Sequence, residues 1–224
     1  MKKRLVLVSF SVLLFFVVGA YYATTAEVTF PPLKDGDLIF QTSTSRQSSA
    51  IFVATGNSYT HMGIIKKGAS GTVVVEATQV VKETPLNDWV NRGLLNRVAV
   101  YRDEELTDEQ SRVILGAAEK YYGRPYDIFF SFNNQAIYCS ELPYLAFGEA
   151  GISIGQVQKV SELNFDNILV KKIIEQRWQR DEECTAKNYG FEQCFDHILE
   201  QSVVTPASIA NDKRFVKVFS NYPF

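Results

Sequence analysis

Cysteine and histidine are scarce in this chain. Its 224 residues include three of the first and two of the second. Three cysteines exclude a disulfide-dense miniprotein. Two histidines leave almost no choice wherever a base is needed. No sign of charge dominates: 23 Lys and Arg face 25 Asp and Glu, a net charge of −2. A general nucleic-acid binder carries a basic excess, so no nucleic-acid partner is expected. There is no Gly-rich period, heptad run or repeat of roughly 20–50 residues, which excludes collagen, coiled coil and solenoid. Apolar material is plentiful instead, at 46% hydrophobic and 13% aromatic residues. That composition excludes disorder as the main state. The length is that of one ordinary domain with a tail.

Lys2, Lys3 and Arg4 precede an uncharged, mostly apolar run over residues 5–23. This is the charged start and apolar body of an export signal. Thr24 and Ala26 put small residues three and one positions before a cut after Ala26. The apolar run is also about long enough to span a bilayer. The leader over residues 1–26 is therefore either removed or kept as a membrane anchor through residues 5–23. No cysteine stands near it, which excludes a lipid-modified N-terminus. Both outcomes put the rest outside the cytoplasm, in a periplasm or at the cell exterior. Residues 27–33, with Pro31-Pro32, read as a linker, and residues 34–224 as the folded domain.

Within that domain a short strand follows the Asp35-Gly36 turn. A polar stretch over 42–49 leads into a short helix that ends at Gly56. Residues 61–66 and 72–78 read as a β-hairpin, and 98–102 as a further strand. Trp89 sits in a short helix between them. Thr107 and Gln110 make a capping box. Val113, Ile114, Ala117, Ala118, Tyr121 and Tyr122 then form one helical stripe that ends at Gly123 and Pro125. A second helix is expected over 138–150, a third over 166–179, and a late strand over 216–219. The order is that of an α+β fold.

Exported proteins tend to oxidise paired thiols. Cys184 and Cys194 stand ten positions apart in a polar tail, so a disulfide is the expectation. A zinc site of Cys184, Cys194 and His197 is the rival, and it lacks a clear fourth ligand. Cys139 is left over. It stands at the start of the second helix, where free N–H groups and the positive dipole end stabilise a thiolate and a developing oxyanion. The polar loop Asn133-Asn-Gln135 before it suits a cleft rim. A thiolate nucleophile needs a base. His197 reads as a surface residue, so His61, opening a strand, is the candidate. The base needs an orienting group in turn. Glu76 lies in an apolar β run, where a carboxylate is costly unless paired. It stands about as far from the hairpin turn as His61, so the two are expected as cross-strand neighbours.

At this point the residues resemble a known family. Gly36-Asp-Leu-Ile-Phe40, Ser48-Ser-Ala-Ile51, Ala54-Thr-Gly56, Tyr59-Thr-His-Met-Gly-Ile-Ile65 and Val75-Glu-Ala77 are similar to motifs of the YiiX-like branch of the circularly permuted NlpC-type cysteine peptidases. So are Thr84-Pro-Leu86, Gly123-Arg-Pro-Tyr-Asp127, Tyr138-Cys-Ser-Glu-Leu142 and Thr205-Pro-Ala-Ser-Ile209. The resemblance covers residues 34–220. It implies a permuted papain-like fold, with a small antiparallel β-barrel or sheet first and the nucleophile helix after it. It implies a catalytic Cys139, His61 and Glu76, and a cleft lined by Tyr138, Gln47 and Tyr126. Two features depart from the family: Pro143 inside the nucleophile helix, and the Cys184–Cys194 segment, which resembles an insertion.

Such a site performs acyl transfer on a small peptide, amide or lipid substrate, with no cofactor and no metal. Amide or peptide cleavage, on cell-wall-derived peptides for example, is the favoured reading. A lipid ester or amide hydrolase or acyltransferase is the alternative. A catalytically impaired binder of small ligands, kept open by Pro143, and a structural membrane-associated protein are the non-enzyme rivals. The sequence carries no signal for oligomeric state.

Overall fold

The β-branched runs of the first half, cut by Gly and Asn, form consecutive antiparallel strands. These are β1 (Leu38–Ser43), β2 (His61–Gly68), β3 (Gly71–Ala77), β4 (Val81–Pro85) and β5 (Gly93–Asp103). A separate two-stranded ladder joins β6 (Val157–Lys159) to β7 (Ser202–Val204). β8 (Phe215–Ser220), the expected late strand, returns to pair with β5. The six-stranded sheet has the order β4-β3-β2-β1-β5-β8. It is open rather than a closed barrel: β4 and β8 are its edges and do not pair. This computed structural model describes residues 28–132, 135–165 and 167–223. The leader, Asn133, Asn134 and the expected helix start at Asp166 lie outside the described residues. Residues 31–224 make one unit, separate from residues 1–30. Among the described residues no helix is long and apolar enough to cross a membrane.

The helices form where caps and apolar stripes coincide. α1 (Arg46–Thr55) starts at Ser45, whose side chain accepts from the Ser48 N–H, and ends at Gly56 in the left-handed region. α2 (Leu86–Asn91) carries Trp89. α3 (Asp108–Glu119) has the reciprocal Thr107–Gln110 capping box. Its buried face is Ser111, Ile114, Leu115, Ala117 and Ala118, whereas Val113 and Tyr122 are exposed. The stripe is thus turned slightly from the expected one. α4 (Glu141–Glu149) begins three residues later than expected. The tail adds α5 (Ile168–Glu175), α6 (Glu182–Ala186), α7 (Phe191–Glu200) and α8 (Pro206–Ala210).

One face of the sheet, with Leu38, Phe40, Met62, Ile64 and Val75, packs on Ile114, Ala118, Leu142, Ala146 and Phe147 of α3 and α4 in a single apolar cluster. Residues alternate along a strand. The opposite face therefore carries Gln41, His61 and Glu76, all buried. The helix that follows Cys139 is fixed to the sheet by this core.

Candidate active site

The hairpin of β2 and β3 sets the first part of the site. Its register pairs Ile64 with Val75 and Gly68 with Gly71. Carried one step further, it sets Gly63 opposite Glu76. His61 and Glu76 are therefore diagonal neighbours on one face, not the directly opposed pair. Gly63 is what lets the two strands close here. A Cβ at 63 would lie 2.4 Å from Val74 Cγ1 and 2.8 Å from the Val75 carbonyl oxygen. With no side chain between them, His61 Nε2 lies 2.6 Å from Glu76 Oε2.

Glu76 is fully buried, so its charge must be met by donors. Thr84 Oγ1 donates to Oε1 at 2.6 Å and Trp89 Nε1 to Oε2 at 3.1 Å. The Arg92 guanidinium donates to both oxygens at 2.7 Å. Burial disfavours the carboxylate, but the His61 hydrogen bond, the charges of His61 and Arg92 and the Thr84 hydroxyl outweigh it and bring its pKa down to about 2. Trp89 also stacks on the His61 ring, with centroids 5.9 Å apart. Thr84, Trp89 and Arg92 were not singled out from the sequence as site residues. A buried glutamate announces that donors exist, but nothing in the pattern says which ones.

Cys139 is the free cysteine and is buried. It lies in the turn just before Ser140, the residue that starts α4. Pro143 is the third residue of α4, and the N–H it lacks leaves the Cys139 carbonyl without its helical donor, between the Leu142-to-Tyr138 and Tyr144-to-Ser140 backbone bonds, each 3.2 Å. Ser140 spends its hydroxyl on the Val204 carbonyl at 2.9 Å. Glu141 reaches back to the Tyr138 N–H at 3.3 Å. Burial and the nearby Asp127 raise the Glu141 carboxyl to about 8, against the Tyr138 N–H and Arg124, which lower it.

The thiol meets His61. With Nε2 taken by Glu76, Nδ1 is the nitrogen left to face sulfur. Burial alone would raise the Cys139 pKa. Hydrogen bonding and charge from His61, with a further hydrogen bond from the Tyr126 hydroxyl, outweigh it and lower the pKa. Burial alone would lower His61, but hydrogen bonds to Cys139 and Glu76 and their charges raise it to about 9. Both shifts favour the thiolate–imidazolium pair.

Of the three residues expected to line the cleft, the structure places Gln47 and Tyr126 along its walls. The Tyr126 hydroxyl faces Cys139 Sγ at 3.9 Å and takes the Cys139 backbone N–H. Burial and the neighbouring thiolate push its pKa well up, so it stays a neutral donor. Gln47 lines the cleft, and its Nε2 is buried with no hydrogen-bond partner. Tyr138 sits elsewhere. Its ring is buried and packs edge-on against Phe130 and Phe132, and its hydroxyl accepts the Val204 N–H at 3.2 Å.

Space opens on both sides of the Cys139–His61 pair. On the imidazole side a cleft of about 430 Å³ is lined by both polar and apolar residues, among them Gln41, Thr60, His61, Arg92, Ile51 and Ile128. On the sulfur side a small apolar cavity of about 90 Å³ touches Cys139 and Ser140 and is walled by α1, the 128–130 loop, α5, α7 and β7. Asp127 shapes that loop by accepting from the Phe129 and Ser131 N–H groups, each at 2.7 Å. In the tail, Cys184 and Cys194 form a disulfide between α6 and α7. His197 instead pairs with Glu183, at 3.0 Å.

A cysteine before a helix, beside a histidine and a carboxylate on an antiparallel sheet, with the sheet first in the chain, defines the permuted papain-like class. Residues 32–219 match the family described as permuted papain-like amidase enzyme, YaeF/YiiX, C92 family. The chain belongs to that family. It is 32% identical over 190 residues to the uncharacterized protein YiiX of Escherichia coli strain K12, covering 84% of this chain and 87% of that one. It is also similar to the crystal structure of metalloprotein YiiX from Escherichia coli O157:H7. The TM-score is 0.74 at 32% identity, over 85% of this chain and 98% of that one.

Proposed function

We propose that this protein is an extracytoplasmic thiol hydrolase that cleaves an amide bond through an acyl-enzyme, with Cys139 as nucleophile, His61 as base and acid, and Glu76 as the orienting carboxylate. The observation that carries the reading is one buried imidazole held between Glu76, at 2.6 Å, and the Cys139 thiol. The Cys139 thiolate attacks the substrate carbonyl carbon. Gln47 Nε2, a buried donor with no partner that lines the same space as Cys139, is available to receive the oxyanion. His61 then passes its proton to the departing nitrogen, and the C–N bond breaks to leave a thioester on Cys139. Water, deprotonated by His61, releases the carboxylic acid and restores the thiol. Glu76 keeps Nε2–H in place throughout and balances the imidazolium. The leader and the disulfide both support an address outside the cytoplasm.

The binder reading rested on Pro143. At its place in α4 that proline forgoes one backbone bond, to the Cys139 carbonyl, while the flanking bonds from Leu142 to Tyr138 and from Tyr144 to Ser140 hold the turn. The related structure is of a metalloprotein. Here the described cluster of candidate metal ligands is Asp181, Cys184 and Cys194, and the disulfide takes both sulfurs. That donor set does not fit a metal, and no step is routed through one.

The test is acyl-enzyme trapping. Purified protein quenched in acid during turnover of an acyl amide should carry the acyl mass on the peptide containing Cys139. Cys139→Ser should lose that label and at least about 10⁴-fold in turnover. Label on another residue would reassign the nucleophile.

A further inference from the structure

Two buried side-chain polar atoms among the described residues lack a hydrogen-bond partner, Gln41 Oε1 and Gln47 Nε2. Both residues line the cleft at His61. One atom is an acceptor and the other a donor. Leaving such atoms unpaired is costly, and a ligand that brings both partners removes the cost.

The sheet places Gln41. It stands directly opposite His61 across the β1–β2 ladder, so the two side chains leave one face side by side. Gly93 makes room for the Gln41 amide, since a Cβ there would lie 2.1 Å from Gln41 Oε1. The hydroxyl of Thr60, the residue before His61, is already engaged. Thr60 Oγ1 accepts the Ser43 N–H at 2.9 Å and shares a hydrogen bond with Ser48 Oγ at 2.5 Å. That second bond ties α1 to β2 one residue beyond Gln47, which also lines the space at Cys139.

We infer that Gln41 selects secondary amides as substrates, by accepting the N–H of the leaving nitrogen. This rests on Cys139 being the nucleophile and His61 the proton donor. The scissile group of a secondary amide carries one C=O and one N–H, the complements of Gln47 Nε2 and Gln41 Oε1. Its nitrogen must come to His61 to receive a proton, and the residue beside His61 is Gln41. As the C–N bond breaks, the nitrogen lone pair takes the His61 proton, while the hydrogen it already carried points to Gln41 Oε1. The amine leaves, the acyl group stays on sulfur as a thioester, and water releases the acid. An ester presents an oxygen without a hydrogen at that place, so its lone pairs meet those of Gln41 Oε1. A tertiary amide presents an alkyl group there. Both leave the buried acceptor unpaired.

Acetyl-alanyl-glycine, acetyl-alanyl-sarcosine and the acetyl-alanyl ester of glycolic acid differ at the leaving atom alone: N–H, N–CH3 or O. Release of acetyl-alanine from each by the full chain, followed by chromatography, tests the inference. kcat/KM for the glycine compound should exceed that for the sarcosine compound roughly 10- to 100-fold. Gln41→Met keeps the shape of the side chain and removes the acceptor. It should bring those two rates together and lower the amide-to-ester ratio by the same roughly 10- to 100-fold. Gly93→Ala, which pushes the Gln41 amide aside without removing it, should move the ratio in the same direction. A ratio unchanged in both variants, even with lower overall turnover, would make Gln41 a packing residue and overturn the inference while leaving the thiol hydrolase standing. No acyl label on Cys139 from any of the three compounds would overturn both.

Discussion

The carboxylate and the thiol of the site are held by opposite means. Glu76 receives hydrogen bonds from four residues on three different elements and the loop beyond them. Its charge is fixed and its geometry over-determined. The sulfur of Cys139 has weaker contacts, with Tyr126 at 3.9 Å and with His61, and hydrocarbon beyond it. A rigid, ionised carboxylate sets the direction and the charge of the imidazole. A lightly held sulfur keeps its lone pairs available for attack. In this site the geometric constraint falls on the carboxylate rather than on the sulfur.

Replacing Glu76 by Gln breaks the first half. The exposed Arg92 guanidinium loses its counter-charge at little cost, because solvent screens it, but the buried imidazolium loses its support. Turnover should fall by about 10² to 10⁴, and stability by about 1–3 kcal/mol by chemical denaturation. A loss of stability with normal turnover of the remaining folded protein would make Glu76 a purely structural residue. Gln47→Ala addresses the second half. Without the free amide, kcat should drop about 10- to 10³-fold while the rate of Cys139 alkylation stays the same, since alkylation makes no oxyanion. A parallel fall in both would place Gln47 in the packing around sulfur instead.

Glu141, beneath the thiol, gives the smallest effect and sharpens the contrast. Its carboxyl stays protonated in the folded chain to about pH 8 and ionises near 4.5 when unfolded. Raising the pH from 4.5 to 8 therefore favours the unfolded state through this residue, and the penalty is constant above. Glu141→Gln should gain on the order of 1 kcal/mol at pH 9 and close to nothing at pH 4, read as thermal stability at each pH. An equal gain at both would remove ionisation as the cause.

The two halves also differed in how far the sequence revealed them. His61 and Glu76 were legible because each departs from its surroundings: a histidine opening a strand, and a charge inside Val73-Val-Val-Glu76. Their diagonal relation was not, because the turn closes at Gly68 and Gly71 and one pleat decides the register. Cys139 was found by elimination, but the start of α4 was misplaced by three residues because the place of Pro143 in the first turn depends on tertiary contacts of Ser140 and Glu141. β4 went unread, as an edge strand of five residues with Lys82 and Glu83 exposed carries little alternation. The helices α6 and α7 are short and charged, and they are tied by a bridge and by burial of Phe195 and Ile198 rather than by propensity. The cavity wall they help to build could not be seen in one dimension.

The pH dependence of Cys139 alkylation by iodoacetamide, in the wild type and in Glu76→Gln, tests the central claim most directly. A thiolate paired with imidazolium keeps the wild-type rate high well below pH 8.5, and loss of Glu76 moves the midpoint up toward that of an ordinary thiol. A wild-type rate that climbs tenfold per pH unit up to about 8.5, unchanged by the substitution, would contradict it.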